Sequence, residues 1–296
     1  MDKRLLIILN PHSGKGKIKT KILDIIDIFI KDGWNPYVYI TQGANDAFEF
    51  VKEKGFEFDR VVASGGDGTF NEVICGIMSI PTENRPEIGY IPSGTVNDFA
   101  SNMKMSKNML KAAENIVKGS PFKCDIGQFN EKNFVYVAAF GAFTNVSYET
   151  SQQSKNILGQ LAYFLEGIKQ LYALPSHKIK IECNGESFEE EVLLGMVSNS
   201  NHIAGIKTEK ALKAELNDGL FEVLLVKSPK TLAEMRDLSW HLIMQDFNTD
   251  AIKVFRTENI RISSDEQIQW TLDGEFGGAV SNADISVKKE AVTLVI

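Results

Sequence analysis

The chain has 296 residues, 43% of them hydrophobic and 24% charged, which is enough for two domains of ordinary size, each with its own core. A formal net charge of −7 excludes a general nucleic-acid binder, which needs a basic face, and a purely electrostatic binder of anionic membrane. Cys75, Cys124 and Cys183 are too widely spaced for a metal site or a disulfide framework. With no apolar run of spanning length and no leader pattern after Met1, the expectation is a cytoplasmic protein with free thiols and only peripheral membrane contact.

Leu5 to Leu9 is a short apolar strand, and Asn10-Pro11-His12-Ser13-Gly14 is a turn at its carboxyl end. A helix is predicted from about Ile18 to Lys31, its first turns made basic by Lys15, Lys17, Lys19 and Lys21, against the dipole preference. A bound anion would explain that, as would a solvated face. Pro36 to Thr41 reads as a second strand, Asn45 to Lys54 as a second helix, and Phe58 to Ala63 as a buried third strand. Then comes Ser64-Gly65-Gly66-Asp67-Gly68-Thr69-Phe70-Asn71-Glu72. Apolar residues at helical spacing follow to Ile80. Glycine lets backbone approach a bulky anion, and a helix start supplies unpaired N–H groups. A carboxylate at Asp67 repels phosphate unless a cation lies between, so the pattern points to a nucleotide with a divalent metal. No GxxxxGK[ST] occurs, and GxGxxG fails because Asn71 replaces its last glycine. Taken alone, the stretch is also consistent with a plain glycine-rich turn.

Pro86 to Pro92 is a fourth strand that empties into Ser93-Gly94-Thr95-Val96-Asn97-Asp98. Strand and helix thus alternate to about residue 118, which predicts an α/β domain with a parallel, doubly wound sheet. Its loops should meet at one edge, with Thr41, Thr69 and Thr95 supplying hydroxyls there. After Gly119 the character changes. Strands are expected at 122–127, 133–140, 177–183, 188–198, 220–227, 254–263, 267–272 and 284–295, with helices at 157–174 and near 232–241. This is a mainly β, sandwich-like second domain, giving boundaries of 1–121 and 122–284, with 285–296 free to return to the first domain. Asp218-Gly219 and Asp273-Gly274-Glu275 are hairpin-like turns, the second with two carboxylates that could divide metal and base roles.

Five elements now stand in order: Asn10–Gly14, Gly65–Thr69 with Asn71-Glu72, Pro92–Asp98, Asn217-Asp218-Gly219 and Asp273-Gly274-Glu275. The chain resembles the diacylglycerol kinase catalytic family, specifically the soluble bacterial lipid kinases related to sphingosine kinases and more distantly to NAD kinases. The resemblance implies that ATP is bound by Asn10, Pro11, His12, Ser13, Gly14, Thr41, Gly66, Asp67, Gly68, Thr69, Phe70, Asn71, Glu72 and Thr95. Asp67 would stand near a catalytic Mg2+ with Asp98 in its polar network. Asp218 and the carbonyls of Glu215 and Leu220 would hold a structural Mg2+, and Asp125 would link the two regions. Asp273 and Glu275, with Asp67, are the implied catalytic residues, one of the first two taking the substrate proton. Family members often carry arginine in a Phe-Ala-Arg run; here Phe99-Ala100 is followed by Ser101.

The activity implied is phosphoryl transfer from ATP to a lipid alcohol, diacylglycerol first, at a membrane surface. A local basic patch of Lys104, Lys107 and Lys111 would help there, and apolar residues at 138–143 and on the 157–174 helix would be candidates for acyl-chain contact. Other readings are an NAD kinase-like phosphotransferase and a catalytically silent nucleotide-binding protein. The resemblance leaves a homodimer open.

Overall fold

The computed structural model describes residues 3–141, 175–199, 202–203, 206–207, 215–244 and 246–296. The chain packs as two compact units: residues 1–125 with 289–296, and residues 126–288.

In unit 1, β1 (Lys3–Leu9), β2 (Trp34–Ile40), β3 (Arg60–Gly65) and β4 (Glu87–Pro92) form a parallel sheet in the order β4-β3-β1-β2. β1 is central, and Leu5 to Leu9 are buried as one continuous run, as a strand covered on both faces requires. Leu5, Ile7 and Leu9 pack with Val62 and Ile91 against α1 (Ile22–Lys31) and α5 (Met109–Lys118). On the other side of β4, Tyr90 stacks on Phe70 of α3 (Asp67–Met78), and α3 packs on α2 (Asp46–Lys54). The helix expected from Ile18 begins later. Ser13–Thr20 is a 3-10 turn and the α-helix starts at Ile22, because Gly14 and Gly16 hold positive φ, which an α-helix does not admit. Asn45, at φ 65°, precedes α2 and Asn97, at φ 56°, precedes α4 (Asp98–Asn102).

Unit 2 is strand-rich and antiparallel. It contains the second part of β5 (Pro121–Phe129), from Ile126 on, then β6 (Lys132–Phe134), β7 (Val137–Gly141), β8 (His177–Cys183), β9 (Glu186–Ser198) and the short pair β10 (His202–Ile203) and β11 (Ile206–Lys207). β12 (Phe221–Lys227), α6 (Leu232–Met244), β13 (Ile252–Thr257), β14 (Asn259–Leu272) and β15 (Glu275–Val295) follow. Strand order runs β13-β12-β9, then β7 and β8 sharing the lane between β9 and β14, then β15. The core alternates along the chain: Ile179 and Ile181 on β8, then Ile260, Ile262, Ile268, Trp270 and Leu272 on β14. The strand expected at 254–263 is interrupted, since Thr257 turns its hydroxyl onto the Asn259 carbonyl at 2.6 Å and β13 ends there. Conversely, the strands expected at 254–263 and 267–272 merge in β14 through an irregularity between Ser263 and Ile268. Ala138 and Phe140, considered above for acyl-chain contact, are fully buried core residues of this unit. The helix expected at 157–174 lies outside the described residues.

The end of β15 belongs to unit 1. Leu294 pairs in parallel with Ile88 of β4, and Ser120 and Ile296 exchange backbone hydrogen bonds of 3.0 and 3.2 Å.

His177, at the start of β8, meets the edge of the Phe140 ring at 6.0 Å. Burial lowers its pKa from 6.5, with the Glu266 charge opposing. A base with a depressed native pKa contributes stability that is intact above the unfolded value and is lost as pH falls through the native one. His177→Gln should therefore flatten the loss of stability between about pH 7 and pH 5, read from urea unfolding midpoints; an unchanged slope would refute it.

Candidate active site

The parallel ladder of unit 1 continues past the strand ends, so the four loops at its carboxyl edge are bound together. Thr41 N–H donates to the Leu9 carbonyl at 3.0 Å, Asn10 N–H to Ser64 at 2.9 Å, and Ser93 N–H to Gly65 at 2.8 Å. The Asn10 amide organises its own turn. Its Nδ2 donates to Thr69 Oγ1 at 2.9 Å and its Oδ1 accepts the His12 N–H at 3.0 Å. Gly14, at φ +54°, lies so close to the β4 turn that a Cβ there would stand 1.9 Å from the Ser93 carbonyl oxygen. A Cβ on Gly94 would stand 2.6 Å from the Gly66 Cα. Three turns thus converge on backbone alone.

Asp67 opens α3, and its carboxylate spans to the next turn. Oδ2 accepts the Asp98 N–H at 3.0 Å and Oδ1 the Phe99 N–H at 3.2 Å. Asn97, buried, holds that turn by accepting from Gly94 N–H at 3.0 Å and donating to the Gly94 carbonyl at 2.9 Å. Below lies a ring cluster in which the Phe70 centroid is 4.4 Å from Tyr90 and 4.5 Å from Phe99. Burial, with the Asp67 charge adding, pushes the Asp98 carboxyl up to about 6, while Lys107 opposes. Burial likewise raises the Tyr90 phenol far above its ordinary value. Two like charges at one turn are what a bound cation relieves.

The residues fit ATP. The hydroxyls of Ser64 and Ser93 are buried in these turns and make no hydrogen bond, and the glycine backbone leaves room for phosphate. Gly68 and Thr95 are exposed at the rim, and Thr69 is buried behind it. The side chains of two predicted residues have structural partners. Phe70 is 1% exposed and serves the ring cluster. Glu72 turns away to cap α2, accepting from Asn45 N–H at 2.9 Å and Ala47 N–H at 3.1 Å. Asp125, buried, accepts the Glu290 N–H at 2.6 Å within unit 1. Lys107 donates to the Val96 carbonyl and Lys111 pairs with Glu114, so these two lysines also hold local structure.

Unit 2 carries the other two motifs. Asp273 and Gly274, at φ 51° and 85°, form the two-residue turn joining β14 to β15, the I′ type that Asp-Gly favours. The Asp273 carboxylate accepts three backbone N–H groups, from Val135 at 2.6 Å, Tyr136 at 2.9 Å and Val137 at 3.0 Å. Glu275 follows it and is exposed. At the second turn, Asp218 Oδ1 accepts the Leu220 N–H at 2.9 Å, and Oδ2 takes the Arg256 guanidinium. Arg256 also donates to Glu222 at 3.0 Å. Burial pushes the Glu222 carboxyl up to about 7, with Arg256 working against it and Asp218 with it. Glu215 is exposed and Leu220 half-buried. Among the described residues no cluster of three or more His, Cys, Asp and Glu side chains is placed to hold a metal, so a cation at Asp218 would depend on backbone carbonyls for further ligands. Sequence reading did not single out Glu222 and Arg256, which meet only through strand pairing.

A doubly wound sheet whose turns close on a carboxylate, with a strand-rich second unit, defines a two-domain phosphotransferase class. The diacylglycerol kinase catalytic domain model matches residues 4–129, and the YegS C-terminal NAD kinase beta sandwich-like domain model matches residues 137–296. The diacylglycerol kinase of Bacillus subtilis strain 168 is 35% identical over 93% of this chain and 91% of its own length. That of Staphylococcus carnosus strain TM300 is 36% identical over 98% and 94%. A crystal structure from Bacillus anthracis strain Sterne superposes with a TM-score of 0.85 at 25% identity, covering 99% of this chain and 95% of its own. The chain belongs to the diacylglycerol kinase family and is an ATP-dependent lipid kinase. The NAD kinase and catalytically silent readings are not favoured. No helix among the described residues is long and apolar enough to cross a membrane.

Gly14→Ala should destabilise unit 1 by about 2–5 kcal/mol through strained φ and the clash with Ser93, and abolish ATP binding measured by calorimetry. Gly68→Ala, with nothing within 4 Å of the added carbon, should leave the melting temperature unchanged or raised. Equal losses in both variants would contradict the close approach of the turns.

Proposed function

We propose that the protein transfers the γ-phosphoryl group of ATP to the free hydroxyl of diacylglycerol, giving phosphatidic acid, with Mg2+ as its metal. The observation that carries this reading is the convergence of the Asn10–Gly14, Gly65–Thr69 and Ser93–Asp98 turns beside the fixed Asp67 carboxylate, in a chain of this family. Backbone N–H groups of these turns and the hydroxyls of Ser13, Ser93, Thr69 and Thr95 bind and orient the phosphates. Asp67, with Asp98 beside it, is the pair of carboxylates that would hold magnesium, and Asp218 with the Glu215 and Leu220 carbonyls would hold a structural one. When bound, the metal offsets phosphate charge.

The two carboxylates of the β14–β15 turn divide the remaining work. Asp273 is committed to three N–H donors, which holds the turn, so it positions and does not exchange protons. Glu275 is the proton acceptor. It removes the hydroxyl proton of the acceptor as that oxygen bonds to the γ-phosphorus, the bond from phosphorus to the bridging oxygen breaks, and ADP leaves. Because the acceptor lies in a bilayer, the protein works peripherally on a membrane surface.

Transfer of label from γ-labelled ATP in mixed micelles tests the substrate. Diacylglycerol should be labelled, whereas label in phosphatidylglycerol, sphingosine or NAD instead would overturn the assignment. Two variants test the division of roles. Glu275→Gln should lower kcat by about 10²–10⁴-fold with little change in melting temperature. Asp273→Ala should cost about 2–4 kcal/mol of stability, because it leaves buried N–H groups without an acceptor. The reverse pattern would exchange the two roles.

A further inference from the structure

Antiparallel pairing places Glu222 of β12 opposite Arg256 of β13, and the turn before β12 brings Asp218 to the same guanidinium. One cation therefore serves two carboxylates, and with both carboxyls ionised the three side chains sum to a charge of −1 (two carboxylates, one guanidinium). Glu222 is 1% exposed yet uses only one oxygen. Oε1 accepts Arg256 Nε at 3.0 Å, while Oε2 is buried and makes no hydrogen bond. A buried carboxylate oxygen without a donor is costly, and native structures rarely leave one unless another ligand completes it. Hard divalent cations take oxygen ligands of this kind.

We propose that Asp218 and Glu222 form a two-carboxylate site for a divalent cation, in which Arg256 is a resident counter-cation that holds the turn without metal and weakens the metal's binding. The proposal rests on reading the Asp218 turn as a cation site, and adds Glu222 as a second carboxylate and Arg256 as a competitor. With Arg256 in place a divalent ion brings the group to +1; without it the same ion brings two carboxylates to zero. Charges within ~4–6 Å shift ionic equilibria at partly buried sites by about 10–1,000-fold, so removing the guanidinium should tighten divalent binding at least tenfold.

Mn2+ titration of the nucleotide-free full-length chain, with free Mn2+ counted by electron paramagnetic resonance, reads this directly. Melting temperatures in EDTA and in Mg2+ accompany it. Arg256→Met should bind Mn2+ at least tenfold more tightly than the unaltered chain, and its melting temperature should depend far more on Mg2+. Adding Glu222→Gln to that variant should remove most of the gain. Folding of Arg256→Met only in Mg2+ also supports the proposal, and failure to fold in either medium overturns it. Unchanged Mn2+ affinity in a folded Arg256→Met overturns it as well. Asp218→Asn separates the two layers. If it leaves Mn2+ binding of the unaltered chain intact, the cation reading of the turn fails; if it abolishes binding while Arg256→Met changes nothing, only the competition fails.

Discussion

The phosphate-binding half of this enzyme depends on how closely three turns approach one another. Gly14 lies against the Ser93 carbonyl and Gly94 against the Gly66 backbone, at separations that no side chain fits. Contact between main chains keeps N–H groups exposed to an incoming anion, whereas bulky side chains would fill the space the phosphates need. The ladder bonds from Thr41, Asn10 and Ser93 hold the turns at that distance without any side chain.

Given that approach, Asp67 has a dual task. Its carboxylate accepts the Asp98 and Phe99 N–H groups, so the β3–α3 and β4–α4 turns are joined through one side chain. The same fixation places Asp98 beside it and raises that carboxyl's pKa through burial and charge. Like charge held in this way is relieved by a nearby cation, as Lys107 does in part. The aromatic cluster of Phe70, Tyr90 and Phe99 supplies the rigid floor, and Glu72 fixes α2 from the same helix. Several residues of the glycine-rich motif thus serve architecture.

The second unit uses carboxylates differently. Asp273 is consumed by three backbone donors and leaves the adjacent Glu275 at the surface of the hairpin. At the Asp218 turn a guanidinium joins one backbone N–H in holding the carboxylate, where Asp273 is held by backbone N–H groups.

Strand and helix alternation up to residue 118, the run from Leu5 to Leu9 and the glycine-bearing loops are local signals, and they determined the doubly wound sheet and the edge where its loops meet. The ordered motifs determined the family for the same reason, since each is a short turn whose backbone demands show in its own residues. Tertiary structure alone decided which carboxylate is held by backbone donors and which is left exposed. Asp273 and Glu275 look alike in sequence, and only the N–H groups of Val135, Tyr136 and Val137 folded against Asp273 set their surroundings apart. It also decided the return of β15 to Ile88 and the meeting of Glu222, Arg256 and Asp218. Pairings of this kind join residues far apart in the chain, and a partner set by strand register leaves no mark at either residue alone.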